Sequence, residues 1–330
     1  MDVSIIIVNY KTPELVIDCV NSIKEKTKDL NYEIIVVDND SQDGSIPMLK
    51  EALKDDIQLI DSGKNLGFGK ANNLGVKYAS GKYVFLLNSD TVLMNNAIKV
   101  LFDYMESHEN VGVAGGNLYS ADQKPNSSFC LSFDDIESLK KAAGWTAIVS
   151  KIFLNRIIDK FYSQTKKETV YYKNNFNFSD QVQKVAYIFG ADMMIPKALY
   201  DSLGGFDPDF FMYAEEEELS WRIAHKGYQI VSVPEARIIH YDGASVKKDA
   251  SFSARQFSMR LNGGFMYYFK CFGEQGVHEC YRYKLLRLNR VLKIAQMFHR
   301  TKLLELSSQQ KECLEEAYHL FVNEQRLGGY

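Results

Sequence analysis

Short, unbroken apolar runs alternate with helix-patterned segments over the first part of the chain, and this predicts a β–α–β–α order. Val3–Val8 is a β-branched run of strand type; Thr12 and Pro13 then supply an N-cap and a first helical residue for a helix to about Lys26. Glu33–Val37 is a second run, followed by the polar loop Asp38–Ser45, a helix over Ile46–Lys54 and a third run, Ile57–Ile60. A helix over Lys70–Ala79 leads to the fourth run, Tyr83–Leu87. Strands apolar at every position are buried on both faces, which predicts a mostly parallel central sheet flanked by helices in an α/β domain. Ligands of such open sheets bind outside the carboxyl ends of the strands. The polar residues found there are therefore the candidates: Asn9-Tyr10, Asp38–Asp43 and Asn88-Ser89-Asp90.

The middle of the chain, Asn117 to Gln183, breaks this pattern. It is rich in Lys, Ser, Asn and Tyr, and its periodicity is weak apart from an amphipathic helix around Leu139–Phe161. It reads as a variable insertion, either a lid or acceptor surface or a plain surface excursion. Regularity returns at Val185 with a strand to Gly190, a helix after Pro196 and the dense stretch Gly204–Lys248; the last eighty residues are mainly helical in pattern. The expected division is a domain over residues 1–246, with 117–183 inserted, and a helical C-terminal region over 247–330.

Composition narrows the partners. The formal net charge of −3 gives no reason to expect nucleic acid. No stretch approaches the roughly 18 apolar residues of a spanning helix, and the first residues run straight into a strand pattern, so a cytoplasmic location is expected. Five irregularly spaced cysteines without a CxxC pair suit a reducing compartment. Between Tyr281 and Lys302 stand Arg282, Lys284, Arg287, Arg290, Lys293, Arg300 and Lys302, with no acid and with leucines interleaved at near-helical spacing. A basic amphipathic helix of this kind lies on an anionic leaflet, as a peripheral contact at the inner membrane face, or packs on its own domain with a solvated basic face. The helical C-terminus also offers a surface for a homodimer.

Five stretches carry candidate chemistry. Asp38, at a strand end in Val37-Asp38-Asn39-Asp40-Ser41, has an acceptor that suits the N3–H of a pyrimidine base, although such residues also build ordinary strand-to-helix turns. In Asn65-Leu66-Gly67-Phe68-Gly69-Lys70, two glycines before a helix allow close backbone approach to a ligand, and the helix start favours anions. Its spacing matches neither a P-loop nor a dinucleotide fingerprint. Asp90 in Asn88-Ser89-Asp90-Thr91 suits a hard cation bridging phosphates, or a structural cap. Glu215 to Glu218 open a helix directly after the aromatic Phe210-Phe211-Met212-Tyr213. The helix dipole tolerates one or two acids there, while an aromatic segment that buries them tunes a carboxylate toward general-base work. His240 ends a strand in Arg237-Ile238-Ile239-His240; it is either structural or, with Asp90, the second ligand of a metal site with open positions.

Taken in order, IIIVNY, VVDNDSQDGS, NLGFGKANNLG, LLNSDT, GGFDPDFFMYAEEEELSWR and VPEARIIHYDGAS resemble the motif series of family 2 glycosyltransferases. The resemblance covers roughly residues 3–92 and 185–246, and is strongest to rhamnosyltransferase-type members, in which Asn-x-Asp replaces Asp-x-Asp. It implies the GT-A fold and a single displacement that inverts the anomeric centre. The enzyme would move a sugar, rhamnose among the candidates, from a dTDP-, UDP- or GDP-sugar to a glycan or lipid-linked acceptor in cell-surface polysaccharide synthesis. It further implies that Asp38 contacts the base, Asn9 and Tyr10 line the nucleotide pocket, and Asn65, Gly67, Phe68 and Asn72 sit against the donor. Asn88 takes the first position of the metal motif, and Asp90 with His240 would hold Mg²⁺ or Mn²⁺. The catalytic base falls at Glu216 or its neighbour Glu215, with Glu218 standing where Asp is usual in the family. The competing function is a nucleotide-sugar binder that has lost catalysis; a nucleotidyltransferase is disfavoured because Asn9-Tyr10-Lys11-Thr12-Pro13 lacks the glycine-rich loop it needs.

Overall fold

The computed structural model describes residues 1–150, 174–241 and 252–325. They fall into two compact units: a sheet unit of residues 1–133, 174–211 and 215–241, and a helical unit of residues 134–150, 212–214 and 252–325. The segment expected as one insertion is therefore divided, its ends belonging with the sheet and residues 134–150 with the C-terminal helices.

The sheet unit begins β1 (Val3–Asn9), α1 (Pro13–Lys26), β2 (Tyr32–Asp38), α2 (Ser45–Leu53), β3 (Gln58–Asp61), α3 (Phe68–Val76), β4 (Tyr83–Asn88). It continues with β5 (Thr91–Leu93), α4 (Ala97–Glu106), β6 (Val111–Tyr119) and β7 (Phe129–Cys130). After the helical unit's first segment come β8 (Gln183–Lys184), β9 (Tyr187–Ile188), β10 (Asp192–Pro196), α6 (Lys197–Ser202), α7 (Glu215–His225) and β11 (Gln229–His240). The main sheet runs β3-β2-β1-β4-β10-β6-β11-β5, with β8 on β11. Strands β1 to β4 are parallel, as are β6 and β11, but β10 is antiparallel to both β4 and β6, and β5 and β8 are antiparallel to β11. The sheet is thus mixed. The apolar runs fill both its faces: Ile5 and Ile7 pack with Val16, Val20 and Ile23 of α1 and Leu101 of α4, while Ile6 and Val37 pack with Ala71 of α3 and Leu219 of α7. That two-sided burial is why the strands are apolar at successive positions.

Two local expectations change. The single strand expected over Val185–Gly190 shrinks to β9, with β8 before it and β10 after it, and of the three only β10 joins the centre of the sheet. Thr12 precedes α1, and Pro13 is its first residue, but the Thr12 hydroxyl does not cap the helix. It turns to Asn9 Oδ1 (3.3 Å) and Ser89 Oγ (3.3 Å), because the site beside it offers better partners than the helix N–H groups.

In the helical unit, α5 (Ile136–Ala143) starts on a capping box in which the Asp135 carboxylate accepts the Ser138 N–H. Residues 145–150 resume helix after Gly144, and the rest of the helix expected to Phe161 lies outside the described residues. Then come α8 (Ala254–Met297) and α9 (Thr301–Gln325), packed against each other, with α8 interrupted at Gly273 (φ 71°). Their core is aromatic: Phe265 lies against Phe321, and Tyr281 stacks on Tyr318 at 3.8 Å. Residues 247–251 and 326–330 of the expected C-terminal region lie outside the described residues.

Candidate active site

The carboxyl ends of the parallel strands bring polar residues into one row. Asn9 pairs in register with Asp38, Asp38 with Asp61, and Asn88 lies across from Val8. Asn9 and Asp38 are buried. Asn9 Nδ2 donates to Asp38 Oδ2 at 2.6 Å, and Ser41 donates its hydroxyl to the same oxygen at 2.7 Å. Asp38 Oδ1 accepts only the Ser41 N–H, at 3.0 Å, which leaves it acceptor capacity. Tyr10, next to this pair, is exposed.

The loop before α3 is fixed from two sides. The buried Asn39 side chain donates to Asn65 Oδ1 (3.2 Å) and to the Gly67 carbonyl (3.3 Å), and it accepts the Leu66 N–H (2.8 Å). From the other side, Phe68 N–H donates to the Phe211 carbonyl at 3.0 Å. Gly67 has φ 80°, and a Cβ there would stand 2.1 Å from that same carbonyl oxygen, so both conformation and space demand glycine. Asn72 is buried, with its amide donating to the Phe68 carbonyl at 3.1 Å. Asn65 and Gly67 of the loop and Phe68 and Asn72 at the start of α3 are therefore held together.

Asp90 and His240, 150 residues apart in sequence, meet. Strand β5 lies antiparallel to β11 with Thr91 opposite His240, and the Tyr241 N–H donates to the Asp90 carbonyl at 2.9 Å. His240 Nε2 is 3.2 Å from Asp90 Oδ1. With metal–ligand bonds of about 2.1 Å, two neighbouring ligands of an octahedral ion lie about 3 Å apart, so the pair fits one cation while leaving most positions to other oxygens. Among the described residues no third His, Cys, Asp or Glu completes a cluster. The last residues of that motif, 242–245, lie outside the described residues.

The four glutamates do open a helix, α7, and they are not equivalent. Glu218 grips Arg222 with two bonds, 2.6 Å to Nε and 2.7 Å to Nη2, and Arg222 in turn donates to the Leu203 and Gly205 carbonyls. That pair ties the glycine turn to α7. Glu215 is buried, and its Oε2 has no hydrogen-bond partner among the described residues. Burial first, and then the charge of Glu216, push the Glu215 carboxyl well above its ordinary value. Burial likewise raises Glu216, and the nearby backbone of Glu216 itself and of Gly190 offsets part of that rise. Two adjacent carboxyls of raised proton affinity are suited to receiving a proton.

Gly190 and Ala191 connect these parts. Gly190 packs beside Glu216, and the Ala191 carbonyl accepts the Asn88 N–H at 2.9 Å. One dipeptide thus lies between the acid helix and the Asn88–Asp90 turn. A Cβ on Gly190 would make only ordinary contacts, 3.4 Å to the Phe68 ring and 3.8 Å to Glu216 Cβ, so packing does not require the glycine and its bareness leaves space between those two side chains. The next residue, Asp192, is fully buried; its Oδ2 accepts the Gly116 N–H at 2.6 Å, Oδ1 has no partner among the described residues, and burial raises it well above the usual aspartate value. Sequence reasoning missed Gly190, Asp192 and Arg222, and it had Asn39 only inside the candidate stretch Asp38–Asp43, with no role. Asn39 was hidden in a stretch that any turn would use, whereas an aspartate inside an apolar strand and a Glu–Arg pair four apart were visible signals.

The fold is shared with solved glycosyltransferases. The mannosyltransferase PcManGT from Pyrobaculum calidifontis, in complex with GDP-Man and Mn²⁺, superposes with a TM-score of 0.53 over 97% of this chain and 86% of its own, at 14% identity. GalNAc-T7 with UDP, GalNAc and Mn²⁺ gives 0.57 over 98% of this chain and 56% of its own, also at 14% identity. The architecture is that of a GT-A glycosyltransferase. Residues 4–177 match the profile of Glycosyl transferase family 2, and the chain belongs to that family. Its relatives include the N-acetylglucosaminyl-diphospho-decaprenol L-rhamnosyltransferase of Mycobacterium tuberculosis, 22% identical over 66% of this chain and 68% of that protein. Rhamnosyltransferase WbbL of Escherichia coli is 26% identical over 72% of this chain and 83% of its own length.

Proposed function

We propose that this glycosyltransferase is an inverting, metal-assisted enzyme that moves a sugar from a nucleoside-diphosphate donor to a hydroxyl of a glycan or lipid-linked acceptor in cell-surface polysaccharide synthesis. One observation carries the reading: Gly190 packs beside Glu216, where a Cβ on the glycine would stand 3.8 Å from Glu216 Cβ, and the next residue, Ala191, accepts the Asn88 N–H, which supports one site for a proton acceptor and the Asp90–His240 pair. Asp38, with acceptor capacity left on Oδ1, receives the base, and Asn9 and Ser41 hold it in place. Tyr10 flanks the base, and Asn65, Gly67, Phe68 and Asn72 lie against the donor. Glu216 takes the acceptor's hydroxyl proton as that oxygen attacks C1, and its burial raises its proton affinity. Asp90 and His240 would hold Mg²⁺ or Mn²⁺, which when bound neutralises charge on the departing diphosphate. The rhamnosyltransferase relatives favour dTDP-rhamnose as donor, with UDP- and GDP-sugars next.

The test is thermal stabilisation by nucleoside diphosphates and nucleotide sugars, with and without Mg²⁺ or Mn²⁺, since a ligand raises stability with the logarithm of its occupancy. A metal-dependent shift with dTDP or UDP compounds is expected, and Asp90→Ala should remove the metal-dependent part while a smaller nucleotide shift remains. An absence of shift with every nucleotide would sink the reading.

A further inference from the structure

The basic segment of α8 does not present the face that its leucines suggest. Leu285, Leu288, Val291 and Leu292 are half-buried, and Val277, Cys280, Ile294 and Ala295 are buried, in the helix that packs along α9. At 3.6 residues per turn, Leu286, Arg290, Lys293 and Met297, spaced four, three and four apart, form one stripe turned away from Val277, Cys280 and Ala295. On that stripe Leu286 is 36% exposed and Met297 71%. Phe298 follows at the turn, 53% exposed, and Arg300 and Lys302 beyond it are exposed too. The Arg290 guanidinium donates to the Ala143 carbonyl at 2.6 Å and lies 5.3 Å from the ring of Trp145, which is 45% exposed. Four large apolar side chains are thereby held outward among basic residues, and no acid occurs from residue 281 to 304, in a chain whose net charge is −3.

We propose that this stripe is a lipid-facing surface that seats on an anionic bilayer leaflet. Trp145, Leu286, Met297 and Phe298 enter the headgroup boundary, where an amphipathic indole and apolar tips are stable, and Arg290, Lys293, Arg300 and Lys302 meet lipid phosphates. A second copy of the chain is a poorer occupant: a two-fold contact on this stripe sets Lys293, Arg300 and Lys302 near their own counterparts, with no acid among residues 281–304 to offset them. The surface stands on the helical unit by itself and does not depend on how the transferase site is read.

The experiment uses the full chain carrying Trp221→Phe, so that Trp145 is the remaining tryptophan of the two. Sedimentation is measured with vesicles of phosphatidylcholine mixed with phosphatidylglycerol, against phosphatidylcholine alone. The expected result is binding to the anionic vesicles at low salt that weakens as salt rises, with Trp145 emission shifting to the blue and quenched by brominated lipid. Reversing Lys293, Arg300 and Lys302 to Glu should weaken binding at least ~100-fold, and Met297→Ser with Phe298→Ser on the order of tenfold. No binding at low salt overturns the proposal, as does binding that leaves Trp145 emission unchanged or that both sets of substitutions leave intact. A concentration-dependent dimer in light scattering that Met297→Ser with Phe298→Ser abolishes would overturn it in favour of a second copy. Trp145 quenching needs no change on the stripe, so the proposal stays testable even if a variant fails to fold.

Discussion

The two halves of the site solve opposite problems. Around Asn9, Asp38 and Asn39 the side chains are buried and bonded to one another, with geometry set by strand register and short hydrogen bonds. At the start of α7 the opposite holds: Glu215 is buried with an oxygen unpartnered among the described residues, Glu215 and Glu216 both carry raised proton affinity, and the two residues before the helix, Tyr213 (φ 74°) and Ala214 (φ 69°), have left-handed backbone without being glycine. Satisfied networks rigidify and position. Unsatisfied, strained groups cost stability and persist where something else uses them. The first half reads as a mould for the donor and the second as the reactive edge, and that contrast can be tested residue by residue.

The largest effect should separate function from stability within one helix. Glu216→Gln is expected to lower transfer between about 100- and 10,000-fold, with an unfolding midpoint close to that of the parent protein. Glu218→Gln should do the reverse. It breaks the two-bonded pair with Arg222 that also holds the Leu203 and Gly205 carbonyls, costing about 3 kcal/mol with turnover of the folded fraction retained. Urea unfolding alongside initial rates decides it. Loss of turnover in Glu218→Gln with normal stability would move the base from Glu216 to Glu218.

A smaller loss is expected in the mould. Gly67→Ala puts a methyl group against the Phe211 carbonyl and forces φ 80° on a residue that resists it. A destabilisation of about 2 kcal/mol or more should follow, together with weaker nucleotide binding, because the Phe68–Phe211 bond has to open. If nucleotide affinity is unchanged in the folded variant, this loop is not part of the donor site.

Much of this was legible in sequence because parallel strands buried on both faces leave an unambiguous pattern, and the ends of Val3–Val8, Glu33–Val37 and Tyr83–Leu87 pointed at Asn9, Asp38 and Asn88. Closeness across the sheet was not legible. Asp90 meets His240 only because β5 turns back antiparallel onto β11, a pairing that three residues of strand cannot announce. Strand β10 was equally hidden: Val185–Gly190 read as one strand, whereas the sheet is joined after it, from Asp192, in the direction that makes it mixed. The middle segment read as one insertion, and nothing in its sequence announced that residues 134–150 group with the C-terminal helices while its ends group with the sheet. Register and long-range partners decide these features, and neither leaves a local trace.

The smallest prediction tests whether Glu215 is a cost borne by the reactive edge. Its folded-state carboxyl lies well above the ordinary 4.5, so the folded protein binds a proton that the unfolded chain has released once the pH passes that value. Stability from the neutral carboxyl is then fully present below pH 4.5 and declines as pH rises toward the folded value. Glu215→Gln keeps the neutral shape at every pH. It should therefore match the parent protein near pH 5 and exceed it at pH 8, by about 1 kcal/mol for each pKa unit of the shift that is titrated. Thermal melts of the two proteins across that range give the answer. A constant difference would mean that Glu215 finds a partner for its charge, and the contrast between the two halves of the site would then rest on Glu216 and the strained backbone before α7.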